Sequence, residues 1–91
     1  MATTLNFTQS TPNKWEASCT SSGNRMAVQI NRSSKGPLLV YGNIDGLEKQ
    51  ILQDLGSDME KDVIFEIDVP DGIEITIVSF VEVTGAKIVG L

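Results

Sequence analysis

Two runs of alternating apolar and polar residues lie near the end of the chain, on either side of the turn sequence Pro70-Asp71-Gly72. Apolar side chains occupy every second position in residues 63–69 and again in residues 73–77. A period of two indicates strands with one buried face, and Pro-Asp-Gly provides the fixed and the positive φ angles of a tight turn. The pattern therefore predicts a β-hairpin over residues 63–80.

Shorter runs in the first half of the chain alternate in the same way. The segments 14–20 and 25–32 flank the turn-forming residues Ser21-Ser22-Gly23-Asn24, which predicts a second hairpin. Further short strands are predicted around residues 5–8, over 38–41 and over 86–91, with a bulge or turn at Gly85. The predicted core contains Trp15, Met26, Val28, Ile30, Phe65, Ile67, Ile75 and Ile77.

One segment in the middle of the chain departs from this period. Leu47, Ile51, Leu52 and Leu55 are spaced at i, i+4, i+5 and i+8, and Gly56 follows as a stop signal, so a short helix is predicted over 46–55. The whole pattern predicts one all-β domain over residues 1–91, a β-sandwich or jelly-roll-like antiparallel fold with one short helix. Residues 1–8 are predicted to form a flexible or strand-donating arm.

The composition removes several classes of chemistry. The chain has no His, the side chain best suited to proton transfer near neutral pH, and its single Cys forms neither an internal disulfide nor a zinc cluster. Residues 1–10 have no basic and apolar leader pattern, so secretion by a signal peptide is not expected. No apolar run reaches the length of a membrane-spanning helix, so no membrane partner is expected.

The candidate chemical sites each have a simpler structural interpretation. Asp58, Glu60 and Asp62 have the spacing that begins a calcium loop, but Val63 stands where such a loop needs Gly, which favours a solvated loop. Cys19 is expected to fill space in the core, and Ser79 has no His to activate it. The glycine-rich stretch 42–46 lacks the phosphate-binding spacings and is predicted to be a loop. We therefore expect no enzyme activity, no cofactor and no metal.

Two aromatic residues leave a carbohydrate site open. Trp15 and Tyr41 are the only Trp and Tyr of the chain, and both residue types stack on sugar rings. Core packing is the alternative for Trp15.

Charge is distributed unevenly along the sequence. Residues 1–42 hold four basic and one acidic residue, a net charge of +3, whereas residues 43–91 hold three basic and eleven acidic residues, a net charge of −8. An acidic chain is not expected to bind nucleic acid directly, because attraction to phosphate dominates that affinity. The charge has two interpretations, a solvated acidic face or charge-complementary docking between copies or onto a basic partner.

Several stretches resemble a known class of viral proteins. The segment Lys14-Trp15-Glu16-Ala17-Ser18, the turn at Gly23, residues 65–73 and Ala86-Lys87-Ile88 are similar to small β-sandwich proteins encoded among the structural genes of tailed bacteriophages, the crAss-like group among them. The resemblance covers about four-fifths of the chain and consists of short strands, few charges in the first half and no catalytic motif. It transfers no functional residue. It implies a virion component, such as an auxiliary or decoration protein on the capsid.

Two classes of function follow. The first is a non-enzymatic structural protein of a virion, assembled in the host cytoplasm, that binds a major capsid protein or another virion protein in multiple copies or as a homo-oligomer. The second is a small carbohydrate- or peptide-binding module, which would need an exposed aromatic or concave patch.

Overall fold

The computed structural model describes residues 2–91, which form nine strands and two antiparallel sheets. In chain order the strands are β1 (Thr3–Thr4), β2 (Thr8–Thr11), β3 (Lys14–Thr20), β4 (Arg25–Arg32), β5 (Leu38–Asn43), β6 (Gln50–Asp54), β7 (Val63–Asp68), β8 (Glu74–Ser79) and β9 (Val83–Gly90). The predicted all-β antiparallel sandwich is confirmed.

The two sheets have the strand order of a jelly roll. One sheet runs β1-β9-β4-β7 and the other runs β2-β3-β8-β5-β6. The pairs β1 with β9, β3 with β8, β4 with β7 and β5 with β6 are nested, as in a long antiparallel ribbon that has been rolled up. This wrapping is the jelly-roll way of limiting exposed sheet edges, and it gathers the connecting loops at two opposite ends of the sandwich.

Both predicted hairpins are wrong in their pairing, although their strands exist. β7 pairs with β4, and β8 pairs with β3 and β5, so the Pro70-Asp71-Gly72 turn crosses from one sheet to the other. In the same way β3 and β4 lie in different sheets. Alternation shows which face of a strand is buried, but it does not identify the strand's partner. Two strands joined by a hairpin and two strands joined by a crossover between sheets each bury one face, so both arrangements give the same pattern.

The two crossing turns are joined to each other through Ser21. Its hydroxyl accepts a hydrogen bond from the Ile73 amide at 2.8 Å and donates one to the Pro70 carbonyl at 2.6 Å. Its backbone exchanges two further bonds with Gly72 and Ile73. Asp71 accepts a bond from the Gly23 amide at 2.8 Å. The turn residues are therefore used to fasten one crossover to the other.

The predicted helix over 46–55 is wrong, because this segment is a turn followed by β6. Asp45 and Gly46 both have positive φ angles, 48° and 76°, and the Leu47 amide bonds to the Ile44 carbonyl at 3.0 Å. Two successive positive φ angles are typical of a type I′ turn, which joins antiparallel neighbours such as β5 and β6. A helix of this length also needs a packed apolar face, whereas Leu47 and Ile51 are exposed.

The core lies between the sheets and confirms most of the predicted residues. Met26, Val28, Ile30, Phe65, Ile67, Ile75 and Ile77 are all buried in it. Trp15 is the exception, since it is half-buried and lies outside the core cluster. Its side chain lies on the inner face with Ser79, but its other neighbour in the sheet is Gln9 of the exposed edge strand β2. The predicted irregularity near Gly85 is present as a register shift opposite Asn31 and Arg32.

Much of the predicted arm is paired within its own chain. Thr3 and Thr4 pair with Ile88 and Lys87 of β9, and Leu5 is buried with its amide bonded to the Ala86 carbonyl at 3.0 Å. Met1 lies outside the described residues. To pair with a neighbouring molecule, this segment would have to exchange its contacts with β9 for contacts with that molecule. The strand-donating arm therefore stays a prediction.

A buried arginine closes one end of the sandwich, which we call the arginine end. It comprises the loops 33–37, 55–62 and 80–82. Arg32 is 2% exposed, and its guanidinium donates to the carbonyls of Pro37, Met59, Glu60 and Lys61 and to the Ser79 hydroxyl. These five bonds use all five N–H groups of the side chain. One side chain thus holds β8 and two loops together.

Candidate docking site

The two aromatic candidates for sugar stacking lie on opposite faces of one sheet. Trp15 is directly opposite Ser79, which in turn pairs with Leu38, and both of these partners are fully buried. Tyr41 pairs with Thr76 and Ile51, and Thr76 alternates along β8 with the inward-facing residues Ile75 and Ile77. Because directly paired residues point to the same face of a sheet, Trp15 faces the interior side and Tyr41 faces outward. The two rings do not form one platform.

The acidic stretch with calcium-loop spacing contacts basic side chains of the protein itself. Asp58 contacts Lys35 at 3.3 Å, and Asp62 contacts Lys61 at 3.4 Å while it accepts a bond from the Arg32 amide. The backbone carbonyls of 59–61 point inward to the Arg32 guanidinium. Within residues 2–91 no three Asp, Glu, Cys or His side chains converge in a way that would hold a metal ion.

The two candidate nucleophiles are placed as structural groups. Burial raises the pKa of the half-buried Cys19 thiol above its ordinary value of 9.0, which lowers its reactive thiolate fraction. Ser79 is fully buried; its hydroxyl donates to the Val81 carbonyl at 2.7 Å and accepts from Arg32. The glycine-rich stretch 42–46 forms the end of β5 and the type I′ turn.

An apolar cleft opens at the other end of the sandwich, which we call the cleft end. Its volume is about 400 Å³, and it lies between the segment 42–52 and the crossing turn 69–73. Val69 and Ile73 form part of its wall, and Ile44, Leu47 and Leu52 surround it with side chains that are 56%, 71% and 43% exposed. These three aliphatic side chains are well placed to contact another molecule.

The local structure of β5 and β6 holds this cleft in shape. The type I′ turn presents Ile44 and Leu47 at its two flanking positions. Leu52 has no direct partner across the sheet, because Tyr41 pairs with Ile51 and Val40 with Gln53. This bulge places the Leu52 side chain over Gly42, where a Cβ atom would lie 2.6 Å from Leu52 Cδ1. Gly42 therefore leaves the space that Leu52 occupies.

The margin of the cleft is acidic. Glu48 lines it, and Asp45 lies in the turn between the lining residues Ile44 and Leu47. Neither carboxylate belongs to any of the three ion pairs within residues 2–91. Asp71 and Glu74 follow lining residues in the sequence, but they already accept hydrogen bonds from the Gly23 amide and the Asn43 side chain. The charges of Asp45 and Glu48 are therefore available to act on an approaching molecule.

Sequence reasoning did not find this cleft, although one signal was present. Asp-Gly between two aliphatic residues is a strong mark of a two-residue hairpin turn, and Ile44-Asp45-Gly46-Leu47 has that form. The helical spacing of the residues that follow it obscured this signal. The contribution of Val69 and Ile73 is visible only when the crossing turn 69–73 is placed beside β5 and β6.

Compared with protein-family models, with curated proteins and with solved structures, the chain matches none of them. Residues 2–91 include no helix of the length and apolar character that a membrane span requires.

Proposed function

We infer that this protein is a non-enzymatic structural component of a larger assembly, an auxiliary capsid or decoration protein of a phage particle. The observation that carries the proposal is the cleft end, where three aliphatic side chains surround an open apolar cleft. A soluble domain that holds such residues in water gains free energy when a partner covers them. The jelly roll is also a frequent architecture of capsid domains, which agrees with the resemblance to phage structural proteins.

The charge of the protein bears on its partner. A net charge of −5 opposes direct contact with packaged nucleic acid and favours attachment to a protein shell. In this role the chain sits on a major capsid protein, or on another virion protein, in many copies. Its buried Ser79 and half-buried Cys19 serve the fold in this proposal, and neither takes part in a reaction.

Co-sedimentation tests the proposal. The purified chain is mixed with particles assembled from the major capsid protein encoded in its genomic neighbourhood, and bound copies per particle are measured. We expect saturable binding that the double variant Leu47→Ser, Ile44→Ser removes. The variant Ile64→Ser is the control, because Ile64 is 71% exposed, like Leu47, but lies on β7 away from the cleft. A monomer that never joins a particle would refute the proposal.

The alternative is a small carbohydrate- or peptide-binding module. Trp15 and Tyr41 lie on opposite faces of one sheet, so a carbohydrate-binding role has no platform shared by the two aromatic rings. Binding of a defined glycan that depends on Tyr41 alone, in a chain that ignores the particles, would establish this alternative.

A further inference from the structure

The cleft end is shaped to receive a side chain of another molecule. The cleft is about 400 Å³, open to solvent, and has Val69 and Ile73 in its wall. Strand addition at the neighbouring edge is a poor alternative, because the bulge at Leu52 interrupts the row of backbone groups that β6 offers. The interaction therefore depends on side chains that enter the cleft.

The charge around the cleft selects the partner. Glu48 lines the cleft and Asp45 lies in the adjoining turn, and neither is neutralised by an ion pair within the described residues. Potentials across a specific interface are complementary. A cationic partner satisfies this rule, whereas an acidic or neutral one leaves the carboxylates uncompensated.

A second copy of this chain does not meet the requirement. A two-fold contact between two cleft ends would bring two acidic margins together. Three of the four basic residues of the first half are already engaged in the fold: Arg25 pairs with Glu66, Lys35 pairs with Asp58, and Arg32 is buried. Lys14 is the fourth, and this one lysine does not form a basic patch that would fit another copy's cleft.

We propose that the cleft end binds a protein segment in which an aliphatic or aromatic side chain is flanked by Lys or Arg. The apolar side chain enters the cleft between Leu47 and Ile73, and the flanking cations lie over Glu48 and its acidic neighbours. This inference deepens the proposed function, on which it rests for the partner's identity as a subunit of the assembly. It predicts that the subunit presents such a segment in an exposed loop or terminus.

A display library of short random peptides, selected on the immobilised full-length chain, tests the chemistry of the partner. We expect enrichment of peptides with Lys or Arg next to Leu, Ile or Phe. One enriched peptide is then synthesised, and its Kd is measured by fluorescence anisotropy at low and high salt. Affinity should fall as salt rises, because the cationic contacts are exposed and screened.

Two pairs of matched variants locate the binding. Leu47→Ser should weaken the enriched peptide about tenfold or more, and Ile64→Ser, equally exposed at 71%, should leave its Kd unchanged. Glu48→Lys should weaken binding and flatten its salt dependence, and Glu82→Lys, in the arginine-end loop 80–82, should do neither. Unchanged circular dichroism of the four variants establishes that each one is folded.

Three results would overturn the inference: no enrichment above an unrelated protein, enrichment of peptides without excess positive charge, or equal binding by Leu47→Ser and Ile64→Ser. Its failure is distinct from failure of the proposed function. If the chain joins particles while the library selects nothing, the cleft proposal is wrong and the structural role stands. If basic apolar peptides bind at Leu47 while the chain never joins a particle, the cleft proposal stands and the virion role is wrong.

Discussion

The two ends of the sandwich are closed by opposite chemistry. At the arginine end, Arg32 satisfies four carbonyls and a hydroxyl in the interior. At the cleft end, apolar side chains face solvent around an open cleft, and the crossing turns are joined by hydrogen bonds of Ser21 and Asp71. The comparison shows that one end of this small domain is closed by a fully hydrogen-bonded side chain, whereas the other end exposes the apolar side chains that we propose as a docking site.

The largest expected effect comes from breaking the arginine end. Arg32→Met removes five hydrogen bonds, four to part-buried loop carbonyls and one to the buried Ser79 hydroxyl, so the free energy of unfolding should fall by about 3–5 kcal/mol in urea denaturation. Arg25→Met is the control, because Arg25 is in an exposed ion pair with Glu66 and such pairs contribute about 0.2–1 kcal/mol. Equal losses in the two variants would mean that the arginine end does not carry the stability assigned to it.

A second prediction separates the open cleft from the packed core below it. Ile75 is fully buried and pairs with Gly42 of the cleft wall, so Ile75→Ala should cost roughly 2–5 kcal/mol. Ile64→Ala, on an exposed face, should change the free energy of unfolding by less than about 0.5 kcal/mol. A small loss for Ile75→Ala would indicate that the interior near the cleft end is itself loosely packed.

Removing the hydrogen bonds that join the two crossing turns should have a smaller effect on the free energy of unfolding. Ser21→Ala leaves the half-buried Ile73 amide without its hydrogen-bond acceptor and the Pro70 carbonyl without its donor, which should cost about 1–3 kcal/mol. Ser22 is exposed, and Ser22→Ala should have little effect. Thermal and urea unfolding of both variants measure the difference. A Ser21→Ala protein as stable as Ser22→Ala would place the fastening of this end elsewhere.

The smallest predicted effect is a pH dependence of stability that arises at Cys19, opposite Ile75 in the sheet. Burial raises the pKa of the Cys19 thiol above 9.0, so the folded chain holds this proton more tightly than the unfolded chain. The stability that this adds is complete below the unfolded pKa and is lost as pH rises through the folded pKa. The stability of the parent chain should therefore decline more in alkaline solution than that of Cys19→Ala, as measured by urea unfolding at several pH values. Identical pH profiles would contradict this expectation.

The charge split of the sequence does not persist in space. The first half of the chain is basic and the second half acidic, which left two interpretations open, a solvated acidic face or charge-complementary docking. The jelly roll interleaves the halves, and Arg25 and Lys35 of the first half pair with Glu66 and Asp58 of the second.

The sequence alone determined the strands and their buried faces, because alternation is a local property of an extended chain. Val28, Ile30, Ile75 and Ile77 are in the core for that reason. Strand pairing is not a local property, and the sequence therefore did not reveal it. The Pro70-Asp71-Gly72 turn was predicted to close a hairpin, whereas it is a crossover between sheets. The five partners of Arg32 and the meeting of Leu47 with Ile73 depend on loops brought together from distant parts of the chain. Only the tertiary structure decided these contacts, because they depend on the packing of the two sheets and not on any local pattern in the sequence.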